Sequence, residues 1–251
     1  MDNQYQGNSE EKQESRRLHQ LQQYNILDSA SEAGYNDIAV LASRICEAPI
    51  AIIGFIDARR QWVKSSSGVS LTEIDRTQSF CNYAIQHPME MMMVEDFTKD
   101  ARFQMHPYVA GEPHLAFYAG MPLTNKQGYA LGTICVLDTK PRCLTAQQTK
   151  ALRLFSIQLM HMLELRRIHH EHETLQAQLQ NNNAAADYHI EMITAQIRQS
   201  VSDIVSEKSQ WEGWYHTNEN VLPGCTQVIG QMEVDIKAII EKMLSHYPDS
   251  R

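Results

Sequence analysis

The stretch FYAGMPLTNKQGYALGTICVLD, residues 117–138, decides the fold of this chain. Its apolar runs predict two neighbouring strands, residues 115–123 and 129–138, joined by the polar loop NKQG. Both strands are apolar enough to lie in the core of a sheet. Tyr118 and Thr133 nevertheless place hydroxyl groups among those apolar residues. Val and Ile would serve a plain core equally well, so these polar residues need an explanation.

Hydrophobic patterns on either side of this strand pair predict further helices and strands. Helices are expected over residues 11–26, over 31–46 with Ser31 as the N-cap, over 79–86 with Ser79 as the N-cap, and from Ala146 onward with Thr145 as the N-cap. Strands are expected over residues 50–57, 61–68 and 91–96. The segment between the third strand and the pair is rich in turn residues, and we expect it to be irregular.

Composition narrows the functional classes. The chain has 251 residues, 43% of them apolar, and a formal net charge of −8. No dense stripe of Lys and Arg is present in the sequence, which argues against binding to nucleic acid or to an anionic membrane surface. The apolar run 48–56 is far shorter than the roughly 20 residues that span a bilayer. We therefore expect a cytoplasmic protein.

Five cysteines occur without any CxxC pair: Cys46, Cys81, Cys135, Cys143 and Cys225. The odd number and the spacing argue against a disulfide framework and against a zinc finger. Buried reduced thiols are the first interpretation. A redox-sensing pair formed by Cys81 and Cys135 stays open, provided that the two are close and accessible.

Residues 18–166 resemble a GAF domain of the bacterial sensory type that precedes diguanylate cyclases and histidine kinases. The resemblance runs through SRICEAPIAIIGFID, TEIDRTQSFCNYAI, VEDFTKDARF, FYAGMPL and LGTICVLDTKPRCLT, in that order. It implies an α+β fold with an antiparallel sheet of about six strands and helices on both faces. We accordingly divide the chain into a disordered N-terminus at 1–15, a GAF domain at 16–166 and a helical tail at 167–251.

In GAF domains a small molecule, when present, lies between the sheet and the irregular cap. The resemblance therefore implies these candidate ligand-binding residues: Phe80, Cys81, Tyr83, Phe103, Phe117, Tyr118 and Thr133. The alternative is a packed core in which these side chains satisfy one another. The cofactor is unknown, no metal site is expected, and haem ligation would fall to His87, His106 or His114.

The composition changes after Arg166, where Gln, Glu, His and Asn replace strand-forming residues. Spacings of three and four residues predict a coiled-coil seam that consists of Leu165, Ile168, His172, Leu175, Leu179 and Asn182. A parallel homodimer is the simplest arrangement. Two further amphipathic helices are expected over residues 187–210 and 226–246.

We interpret the chain as a non-catalytic signalling sensor, in which the GAF domain binds a small ligand or partner and transmits through a dimeric helical tail. No cyclase, kinase or phosphodiesterase motif is recognisable after Arg166. Two alternatives stay open. One is a ligand-free scaffold that dimerises or docks a partner protein through Trp211, Trp214 and Tyr215. The other is a degenerate phosphoacceptor module built on His189.

Overall fold

A computed structural model describes residues 3–181 and, beyond them, only the single helical positions Ala195, Gln199 and Ser202. Within residues 3–181 it describes side chains from residue 11 to residue 176. Apart from these three positions, the two helices predicted after residue 186 lie outside the described residues, as do Asn182, His189, Trp211, Trp214, Tyr215 and Cys225.

The core of the domain is a six-stranded sheet in which every pair of neighbours is antiparallel. The strand order is β3-β2-β1-β6-β5-β4. The strands are β1 (Ile50–Ile56), β2 (Arg60–Ser67), β3 (Glu73–Asp75), β4 (Met92–Val94), β5 (Phe117–Thr124) and β6 (Ala130–Asp138). The α+β fold with a six-stranded antiparallel sheet is therefore confirmed, and the strand pair that opened the sequence analysis, β5 and β6, lies near its centre.

Within residues 3–181, five α-helices accompany the sheet: α1 (Asn3–Gln23), α2 (Ala33–Ile45), α3 (Phe80–Ala84), α4 (Pro107–Ala110) and α5 (Ala146–Asn181). The three long helices α1, α2 and α5 pack on one face and contact the central strands. The short helices α3 and α4, together with a 3-10 helix at Phe97–Lys99, form a cap over the other face. The domain thus has helices on both faces, and the space between cap and sheet is the place where the resemblance puts a ligand.

Helix starts differ from the predictions in two places. The prediction that Ser31 caps α2 is wrong, because the N-cap position is Glu32. The Glu32 carboxylate makes no cap hydrogen bond and instead accepts hydrogen bonds from Lys64 and Arg166. Helix α1 begins at Asn3, ahead of the predicted start at residue 11 and inside the stretch that we expected to lack structure.

The predicted start of α5 is confirmed. The Gln148 backbone N–H donates to the Thr145 hydroxyl at 3.2 Å, and the Thr145 N–H donates to Gln148 Oε1 at 2.9 Å. This reciprocal pair is a capping box, which satisfies two backbone groups at the helix start. The helix then continues for 36 residues without interruption.

Strand β3 was not predicted because it has only three residues, two of them acidic. It pairs with the start of β2, where Arg60 lies opposite Asp75. The Arg60 guanidinium donates to Glu73 of β3 at 2.6 Å and to Asp28 at 2.7 Å. Charge pairing therefore supports an edge strand that has little apolar surface.

Arg17 anchors α1 to the sheet. Its side chain is buried, and its guanidinium donates to the backbone carbonyl of Ile56 at 2.7 Å and to the Glu14 carboxylate at 2.8 Å. Glu14 also accepts from Arg76 at 2.6 Å, and Arg76 donates to Asn82 of α3 at 2.8 Å. A chain of charged hydrogen bonds therefore runs from α1 around the edge of the sheet to the cap.

No helix within residues 3–181 combines the length and the apolar character that a membrane span requires.

We expect Arg17→Met to lower the free energy of unfolding by about 2 kcal/mol, because it leaves the Ile56 carbonyl and the Glu14 carboxylate without a buried charged donor. The neighbouring Arg16 is exposed and serves as the matched control. Arg16→Met should change stability by less than about 0.5 kcal/mol. Urea unfolding monitored by circular dichroism measures both variants, and equal stability of the two would contradict the anchoring role.

Candidate functional site

One face of the sheet points toward the cap, and strand alternation determines which residues it presents. Tyr118 and Cys135 belong to the cluster of buried residues that the cap covers. In the register of β5 and β6, Cys135 lies opposite Gly120. In the register of β6 and β1, Thr133 lies opposite Gly54. At the centre of this face, Gly120 therefore lies beside Cys135, and Gly54 lies beside Thr133.

These glycines make room for two long side chains that lie flat on the sheet. A β-carbon on Gly120 would come within 2.1 Å of the Tyr118 hydroxyl oxygen. A β-carbon on Gly54 would come within 2.6 Å of Gln61 Nε2. Both distances are shorter than van der Waals contact, so only glycine allows Tyr118 and Gln61 to occupy these positions.

Aromatic rings supply the cap side of the site. The ring of Phe80 on α3 stacks on Phe97 at 4.4 Å between centroids and meets Phe103 edge-on at 5.5 Å. The Phe80 ring also lies 6.0 Å from that of Tyr118. Such ring pairs add to the burial of apolar area, and they pin the irregular cap to the sheet.

Ser79 connects the start of α3 to the sheet. Its hydroxyl oxygen accepts a hydrogen bond from the Asn82 backbone N–H at 3.3 Å, which confirms its predicted N-cap role. The same hydroxyl donates to Gln61 Oε1. The cap helix is therefore positioned by a polar contact with β2 as well as by its rings.

Two thiols meet where α3 crosses β6. Cys81 Sγ and Cys135 Sγ are 3.7 Å apart, and the Tyr118 hydroxyl donates to Cys81 Sγ at 3.4 Å. The hydrogen bond from the Cys135 thiol lowers the pKa of Cys81 below its usual range, and the Tyr118 hydroxyl acts in the same direction. The same contact and burial raise the pKa of Cys135. The Tyr118 hydroxyl distinguishes the two thiols, because it donates to Cys81.

Two polar groups at this site have no hydrogen-bond partner among the described residues: Gln61 Nε2 and Thr133 Oγ1. Gln61 is 1% exposed and Thr133 is fully buried. Buried polar side-chain atoms are nearly always paired with protein or water, because leaving one unpaired costs about 1–3 kcal/mol. Both side chains lie close enough to the Cys81 sulfur to lower its pKa, so their polar groups face the Cys81–Cys135 pair at the centre of the site.

Five of the candidate site residues meet between cap and sheet: Phe80, Cys81, Phe103, Tyr118 and Thr133. The ring of Tyr83 packs edge-on against Phe103 at 5.0 Å but is 37% exposed, which places it at the rim. Phe117 is fully buried but lies outside the cap-side cluster. Successive residues of a strand point to opposite faces, so Phe117 lies on the face covered by the long helices, away from its neighbour Tyr118.

Sequence reasoning missed Gln61 and Phe97 as parts of the site. The alternation of side chains along β2 could have identified Gln61. Gln61 lies opposite Ile56, which belongs to the cap-side cluster. Phe97 stands in the VEDF motif just before the irregular segment. Its position under the cap depends on the long connection between β4 and β5, which no short-range pattern specifies.

Of the three histidines considered as haem ligands, His106 is the one whose ring packs in the cap. It lies 4.3 Å from the Phe80 ring, and its Nδ1 accepts from the Tyr108 N–H at the start of α4. Burial lowers the pKa of His106. Among the residues that the structure describes, no group of three His, Cys, Asp or Glu side chains is arranged to hold a metal ion.

We expect Gly120→Ala to destabilise the domain by about 1–3 kcal/mol, because the new methyl group collides with Tyr118 and the crowded ring has nowhere to move. Gly34→Ala is the matched control, since its methyl group would meet the flexible end of Met162 on the helical side. That control should change stability by less than about 1 kcal/mol. Urea unfolding of both variants tests the close packing of Tyr118, and a tolerated Gly120→Ala would refute it.

A curated relative is the cyclic di-GMP phosphodiesterase PA2567 of Pseudomonas aeruginosa, which is 37% identical over 132 residues, or 53% of this chain. The match spans 22% of that relative's length, so this chain corresponds to only about a fifth of it.

Two solved structures are among those to which this chain is similar. One is the GAF domain of a phosphoenolpyruvate-protein phosphotransferase from Acinetobacter, at 16% identity and a TM-score of 0.43, which covers 62% of this chain and 93% of that one. The other is the free methionine-R-sulfoxide reductase from Neisseria meningitidis, at 12% identity and a TM-score of 0.45, with coverages of 58% and 86%.

The profile of the GAF domain family matches residues 31–163, a little over half of the chain. The matched segment begins just before α2 and ends in the middle of α5, so it contains the whole sheet and the cap. The chain belongs to the GAF domain family.

Proposed function

We propose that this chain is a cytosolic signalling sensor in which the space between cap and sheet receives a small ligand or a partner. In this proposal the packing of cap on sheet controls the long helix α5, and α5 transmits the change to a dimeric helical tail. The observation that carries the proposal is the position of β5 and β6, which have the cap on one face and α5 on the other.

The two faces of β5 connect the site to the exit helix. Tyr118 points into the site, whereas the residues on either side of it point toward α5. Helix α5 contacts both β5 and β6, and the Ser156 hydroxyl of α5 donates to the Pro122 carbonyl of β5 at 2.6 Å. Any displacement of Tyr118 that shifts β5 therefore acts on α5 through a direct hydrogen bond and through packed side chains.

Helix α5 leads directly from the domain core to the tail. Its first half buries Leu152, Phe155, Leu159 and Leu163 against the domain. The helix continues unbroken to Asn181, a total length of about 54 Å at the usual rise per residue. A continuous helix of this kind can convert a small shift at its packed end into a change of angle or register at its far end.

The expected seam begins where the burial against the domain ends. Leu165, Ile168, His172 and Leu175 are half-buried in the single chain. Their spacing suits pairing with a second copy, and the polar His172 lowers the stability of such a seam. A seam with polar positions is easier to switch between two registers, and a ligand that prefers one packing of the cap would shift that equilibrium.

Similarity to known proteins supports a role in signalling. The curated relative is a cyclic di-GMP phosphodiesterase, and the match covers about a fifth of it. We therefore extend a regulatory role to this chain and propose no phosphodiesterase activity for it.

A second candidate function is a ligand-free scaffold that dimerises or docks a partner protein. The packing of the site favours it, because Phe103 and Tyr118 are fully buried and their side chains fill the space in which a ligand would lie. In that case the cap would be a fixed part of the core, and the dimer would be the functional output.

We expect deletion of residues 167–251 to leave a folded domain and to weaken dimerisation by at least tenfold in Kd, about 1.4 kcal/mol. The deletion keeps Leu163, the last fully buried residue among the α5 side chains that the structure describes. Ile168→Lys should weaken the dimer in the full chain, because it places a charge in the seam. His170→Lys, on the exposed face, is the matched control.

Sedimentation velocity over a range of concentrations measures all four proteins. An unchanged dimer after the deletion, or equal effects of Ile168→Lys and His170→Lys, would contradict dimerisation through the tail.

Native mass spectrometry at low collision energy, compared with the denatured mass, separates the two candidate functions. The sensor proposal predicts an added mass of a small molecule on the full chain after incubation with cell extract metabolites. The added mass should disappear in Tyr118→Trp, which overfills the site. A bare chain under all of these conditions would favour the scaffold.

A further inference from the structure

The pair Cys81 and Cys135 is a chemically distinct feature of the cap interface. The two sulfurs are 3.7 Å apart, and they join the cap helix α3 to the central strand β6. A disulfide bond requires about 2.05 Å, so the sulfurs would have to approach by about 1.7 Å. Bond formation therefore requires rotation of the side chains or a shift of the short helix α3.

We propose that Cys81 and Cys135 form a reversible disulfide when the protein meets a small peroxide, and that this bond locks the cap onto the sheet. The inference rests on the geometry of the pair and holds whether or not the proposed small-ligand sensor is correct. Disulfide formation would give the same cap interface a redox input.

The environment of the two thiols assigns their roles. Cys81 accepts the Tyr118 hydroxyl at 3.4 Å, and this contact stabilises a negative charge on its sulfur. The thiolate is the nucleophilic form of cysteine. Cys81 is therefore the sulfur that attacks the peroxide, and Cys135, whose sulfur lies 3.7 Å away, acts as the resolving thiol.

The reaction balances with hydrogen peroxide as the oxidant. The Cys81 thiolate attacks one peroxide oxygen, the O–O bond breaks, and the departing hydroxide takes up a proton to leave as water. Cys81 is then a sulfenic acid. The Cys135 sulfur attacks the Cys81 sulfur, the S–O bond breaks, and the hydroxide leaves with the Cys135 proton as a second water. Two thiols and one peroxide thus give one disulfide and two waters.

Burial makes this reaction selective for small oxidants. Cys81 is 3% exposed and Cys135 is 1% exposed, so the oxidant reaches them only when the cap opens locally. Helix α3 has five residues and is flanked by a 3-10 turn at Arg76–Gln78 and by turns on its other side. Short elements of this kind open at lower free energy than a central strand.

The bond would enclose most of the cap. The 54-residue separation between Cys81 and Cys135 includes β4, the 3-10 helix Phe97–Lys99, α4 and β5. Oxidation would therefore close this segment into a loop held at the sheet, and it would remove the freedom of α3 to separate from β6.

The other cysteines supply internal controls. Cys46 is buried without a second thiol near it among the described residues, and burial raises its pKa to about 12. Cys143 is exposed and likewise has no second thiol near it among the described residues. Neither has the geometry of the Cys81–Cys135 pair.

The test is peptide mapping of the full chain after treatment with hydrogen peroxide, with free thiols alkylated under denaturing conditions. We expect a cross-linked peptide pair that joins Cys81 to Cys135, a loss of two hydrogens from the intact mass, and reversal by dithiothreitol. Cys46 should remain fully alkylated. A double variant, Cys143→Ser with Cys225→Ser, should form the same cross-link.

Two variants test the assigned roles. Cys135→Ala should leave Cys81 as a sulfenic acid that dimedone traps, whereas Cys81→Ala should leave Cys135 as a free thiol. Tyr118→Phe keeps the ring and removes the hydroxyl, and it should slow cross-linking by about fivefold through the loss of one hydrogen bond to the thiolate.

The inference is overturned if both thiols of the wild-type chain stay alkylatable while Cys143 is oxidised, or if Cys81 proceeds to a sulfinic acid without a cross-link. These readouts do not depend on the dimer. A cross-link that forms without any change in sedimentation would leave this inference intact and count against transmission through α5.

Discussion

The organisation of the domain depends on the absence of a side chain at two positions of the sheet, Gly120 of β5 and Gly54 of β1. This absence allows Tyr118 and Gln61 to lie flat on the sheet. A methyl group at Gly120 would overlap the Tyr118 hydroxyl, and one at Gly54 would overlap the Gln61 amide. Because these side chains lie flat against the sheet, the cap can pack closely enough for the Cys81 sulfur to contact the Cys135 sulfur. This close packing also brings the Tyr118 hydroxyl within hydrogen-bond distance of Cys81.

Two sets of interactions connect the cap to the long helices on the other face of the sheet. Through Asn82 and Arg76 the cap helix is joined to Glu14 of α1, which precedes the segment matched by the family profile. Through β5 and β6 the cap is joined to α5, where Ser156 binds the Pro122 carbonyl. The long helices are thus held by the strands and side chains that also hold the cap, which is the arrangement that a sensor needs.

The fold could be predicted largely from the sequence because β1, β5 and β6 are long apolar runs and because Ser79 and Thr145 are strong helix caps. The site was predicted only in part. Residue type does not reveal the face of the sheet on which Phe117 lies, whereas the register with β6 does. The contact between Cys81 and Cys135 joins elements 54 residues apart and follows from the sheet topology, which no local pattern specifies.

Hydrogen–deuterium exchange of the reduced full chain, compared with the variant Phe80→Leu, tests most directly whether the cap controls α5. Loss of the ring that stacks on Phe97 loosens the cap, and Met105→Leu, at an exposed cap position, is the control. The account predicts faster exchange in β5, β6 and residues 146–166 of α5 as well as in the cap. Faster exchange confined to residues 76–116, with α5 unchanged, would contradict it.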